Sequence, residues 1–309
     1  MSTTPRFRPV FLVSSLGRVG RLTWVEILKL MWHKLFPVTV ILTVLVTVGL
    51  GLAAKQLTKG AMSGAQFSNY SLWVASSSFG LRVGMLLLAA IGAMAMSSEA
   101  TARTLNTVLT RPIRRIEFAA AKILSLVFAT VVVVAASALA AYVVGGTAPG
   151  ERSSRVSSSR SVEAAPARFP SYGDVVDPLY PDVVIASKGE VMGEIWFGFL
   201  LLVVPVLAGV SLGFLLGTLL DSSGLAVGLS AGLFVTLEGT KFIPLLEEFL
   251  GKYAYNYPLN RISTIMLQSG KGSLADWHDA LVGVGISGIY VGVCLLVSLV
   301  VFCRRDVTL

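Results

Sequence analysis

Six stretches of this chain, residues 35–54, 76–96, 118–144, 195–220, 225–244 and 280–303, are each long and apolar enough to cross a bilayer as a helix. About 20 predominantly apolar residues suffice for a crossing, and in hydrocarbon the backbone must satisfy its own hydrogen bonds, which a helix does. The predicted fold class is therefore all-α, a polytopic membrane protein with six transmembrane helices. Glu238 and Lys241 interrupt the fifth stretch near one end, so it also reads as a shorter span followed by a re-entrant or interfacial helix.

Composition agrees: 54% of residues are hydrophobic and 14% charged, with a mean hydropathy of +0.77, whereas a soluble domain is about 25% charged. A net charge of +8 would suit nucleic acid if it formed a soluble basic face. The basic residues instead sit mostly at the ends of the apolar runs, so the partner they imply is the lipid bilayer and no nucleic acid is expected.

Their distribution orients the chain. Arg6, Arg8, Arg18, Arg21, Lys29 and Lys34 precede the first span; Arg103, Arg111, Arg114, Arg115 and Lys122 follow the second; Arg304 and Arg305 follow the last. These 13 fall on one side with five acids (Glu26, Glu99, Glu117, Asp221, Asp306). The other side is balanced. The positive-inside rule makes the biased side cytoplasmic, with both termini inside.

Residues 1–34 read as a cytoplasmic N-terminus ending in an amphipathic interfacial helix, and 35–309 as one six-span domain. In RLTWVEILKLMWHKLFP, Thr23, Glu26, Lys29 and His33 form a polar stripe opposite Trp24, Leu28, Met31 and Leu35, which suits a helix lying along the membrane surface. No cleavable signal peptide is read, because PVFLVSSLG is followed by Arg18 and Arg21 rather than by a small-residue cleavage site. Residues 97–117 form a cytoplasmic loop, while 146–194 and 239–279 form extracytoplasmic loops. The tract GGTAPGERSSRVSSSRSVEAAPARFP is expected to be partly disordered, because its composition cannot bury a core. Tyr253, Tyr255 and Tyr257 suit a membrane interface.

Several chemistries lack their residues. Cys294 and Cys303 lie too far apart on one helix for a disulfide. His33 and His278 read as surface histidines, and no metal site is expected. Gly283, Gly285 and Gly288 match a dinucleotide fingerprint, but inside an apolar span rather than at a strand-to-helix turn. LQSGKGSLAD lacks the glycine and hydroxyl spacing of a phosphate loop. No catalytic constellation is visible, so the chain is read as a non-enzyme without a cofactor of its own. The spans are nearly free of ionisable residues; Arg82 and Glu238 are the closest exceptions, both read as lying toward the outer side. An ion-coupled carrier would need such groups near the midplane.

Gly209, Gly213 and Gly217 in the fourth span, and Gly224, Gly228 and Gly232 in the fifth, recur every four residues. Each set lies on one helix face and permits close backbone approach, onto the other set, another span or a second copy. Pro205 is expected to kink the fourth span.

The segment SSEATARTLNTVLTRPIRRIEF, residues 97–118, is basic yet patterned as a helix. Ser97 or Ser98 can cap it, with Glu99 near its positive end. Glu99 and Arg103 stand four apart in the favourable order, and Ala102, Leu105, Val108 and Leu109 form an apolar strip. Pro112 ends this helix and can begin the next. A short amphipathic helix tied to two spans is shaped to receive force from a cytoplasmic partner.

This segment resembles the permease subunits of ABC transporters of the type-2 (ABC-2) exporter class. Those permeases carry, after the second span, a glutamate, a Thr-Leu pair, further leucines, a proline and an arginine, then a small residue and a lysine. Here the matching positions are Glu99, Thr104-Leu105, Leu109, Pro112, Arg115 and Ala121-Lys122. The family often has glycine where this chain has Arg103 and Ala121. The layout of an interfacial helix and six spans with both ends inside is also similar. The resemblance implies a subunit of the plasma (inner) membrane that works as a dimer with an identical or related permease. It also implies a separate cytoplasmic ABC ATPase subunit, which binds ATP and Mg and seats the 97–117 helix as a coupling helix. On that resemblance the coupling contacts are Glu99, Arg103, Leu105, Leu109 and Arg115. The alternative is a non-transporting membrane anchor or assembly factor that recruits a cytoplasmic ATPase.

Overall fold

The computed structural model describes residues 13–60, 69–101, 115–146, 172, 174–176, 184–220, 222–239, 254–270 and 276–304. In chain order these form α1 (Val13–Trp32), α2 (Leu35–Gly60), α3 (Asn69–Thr101), α4 (Arg115–Gly146), β1 (Val175–Val176), β2 (Val184–Ala186), α5 (Lys188–Leu219), α6 (Ser223–Gly239), α7 (Tyr257–Ser269) and α8 (His278–Arg304). The two strands make a small antiparallel ribbon, and the rest of the described residues are almost all helical. The low-complexity tract and residues 240–253 lie outside the described residues.

Five helices are long and apolar enough to span: Leu35–Gln56 of α2, Asn69–Ser98 of α3, and the whole of α4, α5 and α8. The expected fifth span, 225–244, corresponds to α6, which has 17 residues. At 1.5 Å per residue it rises about 26 Å, short of the ~30 Å hydrocarbon core. Among the described residues the count is thus five long apolar helices and one shorter apolar helix, with 240–244 of the expected fifth span lying outside them.

Runs such as VTVILTVLVTV in α2 are rich in β-branched residues and hold helix because the apolar setting leaves the backbone no other partner. Thr39 and Thr47 hydroxyls donate back to the Leu35 and Thr43 carbonyls, both at 2.8 Å.

α3 is the central element, touching α2, α4, α5, α6 and α7; its Trp73, Leu81, Met85 and Leu88 are fully buried. One end of the bundle, where α1 meets α2, α3 and α8 finish and α4 begins, is the basic end. The opposite end is aromatic. There Trp73 lies 5.1 Å from Tyr142 and 5.5 Å from Trp196 between ring centroids, and Tyr172 stacks on Tyr142 at 5.0 Å. Trp73 Nε1 donates to the Ala138 carbonyl at 3.0 Å, and the Tyr172 hydroxyl donates to the Tyr142 carbonyl at 2.7 Å. Burial, with Tyr142 and Tyr70 adjacent, pushes the Tyr172 phenol far above its usual range, so it stays a neutral donor.

α7 lies within the stretch 239–279 expected to form an extracytoplasmic loop. The Ser287 hydroxyl of α8 donates to the Tyr255 carbonyl at 2.9 Å, and the Tyr255 ring lies against Gly209 of α5. Gly209 is 13 residues beyond Trp196, about 20 Å along the helix. Residues 254–256 therefore sit deep in the bundle. From there α7 climbs back, with Met266 against Gly198 and Gly270 against Tyr70 at the aromatic end.

Candidate functional site

The basic end is built around the first turns of α4. Lys122 is 3% exposed, and its Nζ lies 3.1 Å from Glu26 Oε2 of α1, itself 16% exposed. The same ammonium lies 4.9 Å from the centre of the Phe118 ring. A lysine this deep in an apolar setting is retained because a carboxylate and a ring face compensate its charge.

Two turns earlier on the same face of α4, Arg115 Nη1 donates to the Cys303 carbonyl at 3.1 Å. That carbonyl belongs to the last turn of α8, where helix carbonyls have no intrahelical donor. Phe118 also packs on Phe302, with ring centroids 6.1 Å apart. The start of α4 is thus held between α1 and α8.

α1 presents its apolar residues outward: Trp24, Val25, Met31 and Trp32 are exposed on this chain. Glu26 of its polar stripe turns inward and, with the exposed Lys29 and His33, lines a cleft shared with Ile91 and Ser98 of α3 and Lys122 of α4. An amphipathic helix in water would face the other way.

Of the expected coupling residues, Arg103, Leu105 and Leu109 lie outside the described residues. Glu99 falls in the last turn of α3, and its side chain is outside them too. Arg115 alone of the five has a described side chain, at the start of α4 with its guanidinium on the Cys303 carbonyl of α8.

The two glycine sets part company. Gly213 and Gly217 face α3, where a Cβ would collide with the Ala89 and Ala93 carbonyls, and Gly209 faces Met85 and Tyr255. Gly92 of α3 returns the approach against Val210. Gly224, Gly228 and Gly232 have no neighbour within 4 Å of a built Cβ among the described residues. The two sets do not pack on each other.

A second polar group lies at mid-depth. Arg82 Nη2 donates to Asn260 Oδ1 at 2.8 Å, and Asn256 Nδ2 donates to Glu238 Oε1 at 2.8 Å. Arg82 is nine residues below Trp73 on α3, about 14 Å from the aromatic end and close to half of the ~30 Å core.

Sequence reasoning missed three pairings: Glu26–Lys122, Arg115 with the Cys303 carbonyl, and Arg82–Asn260. The stripe through Glu26 and the lone intramembrane arginine were visible, but their partners lie 96 and 178 residues away.

Residues 22–156 match the model of a family described as ABC-2 family transporter protein. The match runs from α1 through α2, α3 and α4, the elements that build the basic end. Comparison with curated proteins finds no match. Over the matched stretch, which is less than half of the chain, it is similar to ABC-2 family transporter proteins, as the segment after the second span implied, and five described helices are long and apolar enough for a multi-pass membrane protein.

Proposed function

We propose that this chain, with its ABC-2 transporter domain at residues 22–156, is the membrane half of an ATP-driven exporter. The basic end faces the cytoplasm of a plasma (inner) membrane, and both termini are on that side. α1 lies in the inner interface with Trp24, Met31 and Trp32 in lipid. The chain performs no hydrolysis; ATP and Mg are bound by a separate cytoplasmic ATPase subunit, and a second permease copy completes the pathway.

The observation that carries this reading is the clamp at the start of α4. Residues 102–114 join α3, the central helix, to α4, whose first two turns are tied to α1 by Glu26–Lys122 and to α8 by Arg115. Force applied to that segment reaches the interfacial helix, the central helix and the last span together, as a coupling element requires. A passive recruiting anchor needs no such linkage.

A double substitution, Glu99→Ala with Arg103→Ala, tests it. The variant is expected to insert and melt as the wild type does, while ATP hydrolysis in the assembled complex no longer responds to the permease. Unchanged coupling would remove the role assigned to this segment.

A further inference from the structure

We propose that Arg82 and Asn260 form a binding site for the anionic group of an amphipathic molecule, at mid-depth where α3 meets α7. This deepens the transporter reading by naming the chemistry of a ligand.

Arg82 is a permanent cation near the middle of a spanning helix. Its guanidinium has a neutral amide (Asn260 Oδ1, 2.8 Å) and a ring face (Phe79, 5.3 Å to the centroid) as neighbours. Its Nε is buried without a hydrogen-bond partner, and among the described residues no carboxylate lies within ion-pair distance. An amide and a ring orient a guanidinium but do not neutralise it, and an unneutralised charge at this depth is costly. Arg261, one residue from Asn260, is different: its Nη2 pairs with Asp279 Oδ2 at 2.6 Å. Among the described residues, then, Arg261 has a carboxylate partner and Arg82 has none.

The α7 face next to Arg82 is polar. Asn260, Thr264 and Gln268 follow one another at four-residue intervals on α7; Asn260 is half-buried and the other two are exposed. Hydrocarbon does not tolerate a polar helix face, so this one borders water, a ligand or a partner. One turn before Asn260, Asn256 is fully buried, donates to Glu238 and leaves its Oδ1 without a partner. The first turn of α7 thus separates Glu238 from Arg82 and leaves the arginine fork available to an incoming anion. Phe79, half-exposed beside it, offers apolar surface to a hydrocarbon tail. A phosphate or carboxylate head with an alkyl tail satisfies both.

Such a ligand is either an anionic membrane lipid or an anionic amphiphile taken as cargo. The full chain is placed in phosphatidylcholine nanodiscs, and binding of spin-labelled phosphatidylglycerol is compared with that of spin-labelled phosphatidylcholine. Dodecyl phosphate and dodecylphosphocholine serve as competitors. The wild type is expected to favour phosphatidylglycerol by about tenfold, the scale of one charge-assisted contact. Displacement by dodecyl phosphate identifies a site open to free amphiphiles, and resistance to it identifies a resident lipid; both fit the proposal.

Arg82→Gln is expected to bring the two labelled lipids to parity. Asn260→Asp supplies Arg82 with its own carboxylate at nearly constant volume, and is expected to do the same even where Arg82→Gln fails to fold. An undiminished preference in either folded variant, or no preference in the wild type, overturns the site. The assay needs no ATPase: a chain that couples to its partner without this preference loses the site alone, and one that shows it without binding an ATPase loses the transport reading alone.

Discussion

The Lys122 ammonium and the Glu26 carboxylate meet at 3.1 Å across 96 residues of sequence, joining the amphipathic helix α1 to the spanning helix α4. Because Lys122 is almost fully buried, removing one partner leaves a charge that the surroundings cannot solvate. Glu26→Gln or Lys122→Met alone is expected to destabilise the chain by about 3 kcal/mol, and the double variant by markedly less. A double-mutant cycle on thermal unfolding in detergent measures this; additive losses would show that the pair is not coupled.

The glycine sets should respond unequally. Gly213→Val and Gly217→Val each drive a branched side chain into an α3 carbonyl, and overpacking of that kind costs about 1–3 kcal/mol. Gly228→Val meets no neighbour among the described residues and is expected to leave unfolding of the single chain unchanged. Any effect of Gly228→Val should appear in oligomer mass by light scattering.

At the aromatic end, Trp73→Phe keeps the ring packing and removes the donor to the Ala138 carbonyl. The expected loss is about 1 kcal/mol, the net worth of one hydrogen bond. Thermal unfolding reads the loss; a variant as stable as the wild type would mean that another donor serves that carbonyl.

α5 begins with a capping box: Ser187 accepts from the Glu190 backbone N–H, and the Glu190 side chain accepts from the Ser187 N–H. Ser187→Ala should cost about 1 kcal/mol and speed hydrogen exchange over residues 188–191. Exchange unchanged there would mean that the ribbon and Asp174, which accepts from the Lys188 N–H at 2.7 Å, hold this end by themselves.

The spanning helices were legible because twenty apolar residues have one solution in lipid. α2, α3, α4, α5 and α8 all coincide with runs visible in the sequence. α7 was not, because YPLNRISTIMLQS has a polar face and reads as a loop near an interface. Only the packing of Tyr255 on Gly209 and the Ser287 bond reveal its depth. The glycine spacing showed that close approach was possible but not to what: Gly213 found α3, while Gly228 found nothing in this chain. The start of α4 was legible as motif and basic residues, whereas its partners Glu26 and Cys303 come from opposite ends of the sequence, where no local pattern points to them.

The central claim, that residues 97–117 join this permease to a cytoplasmic ATPase, is tested most directly by isolating the tagged chain from its native membranes in mild detergent. Partners are identified by mass spectrometry and the eluate is assayed for ATP hydrolysis. The expected result is a stoichiometric partner bearing a phosphate-loop motif, with ATPase activity, that is lost when residues 99–115 are scrambled in a chain that still melts cooperatively. A folded wild-type chain that emerges alone and without ATPase activity, under conditions that preserve other membrane complexes, would contradict it.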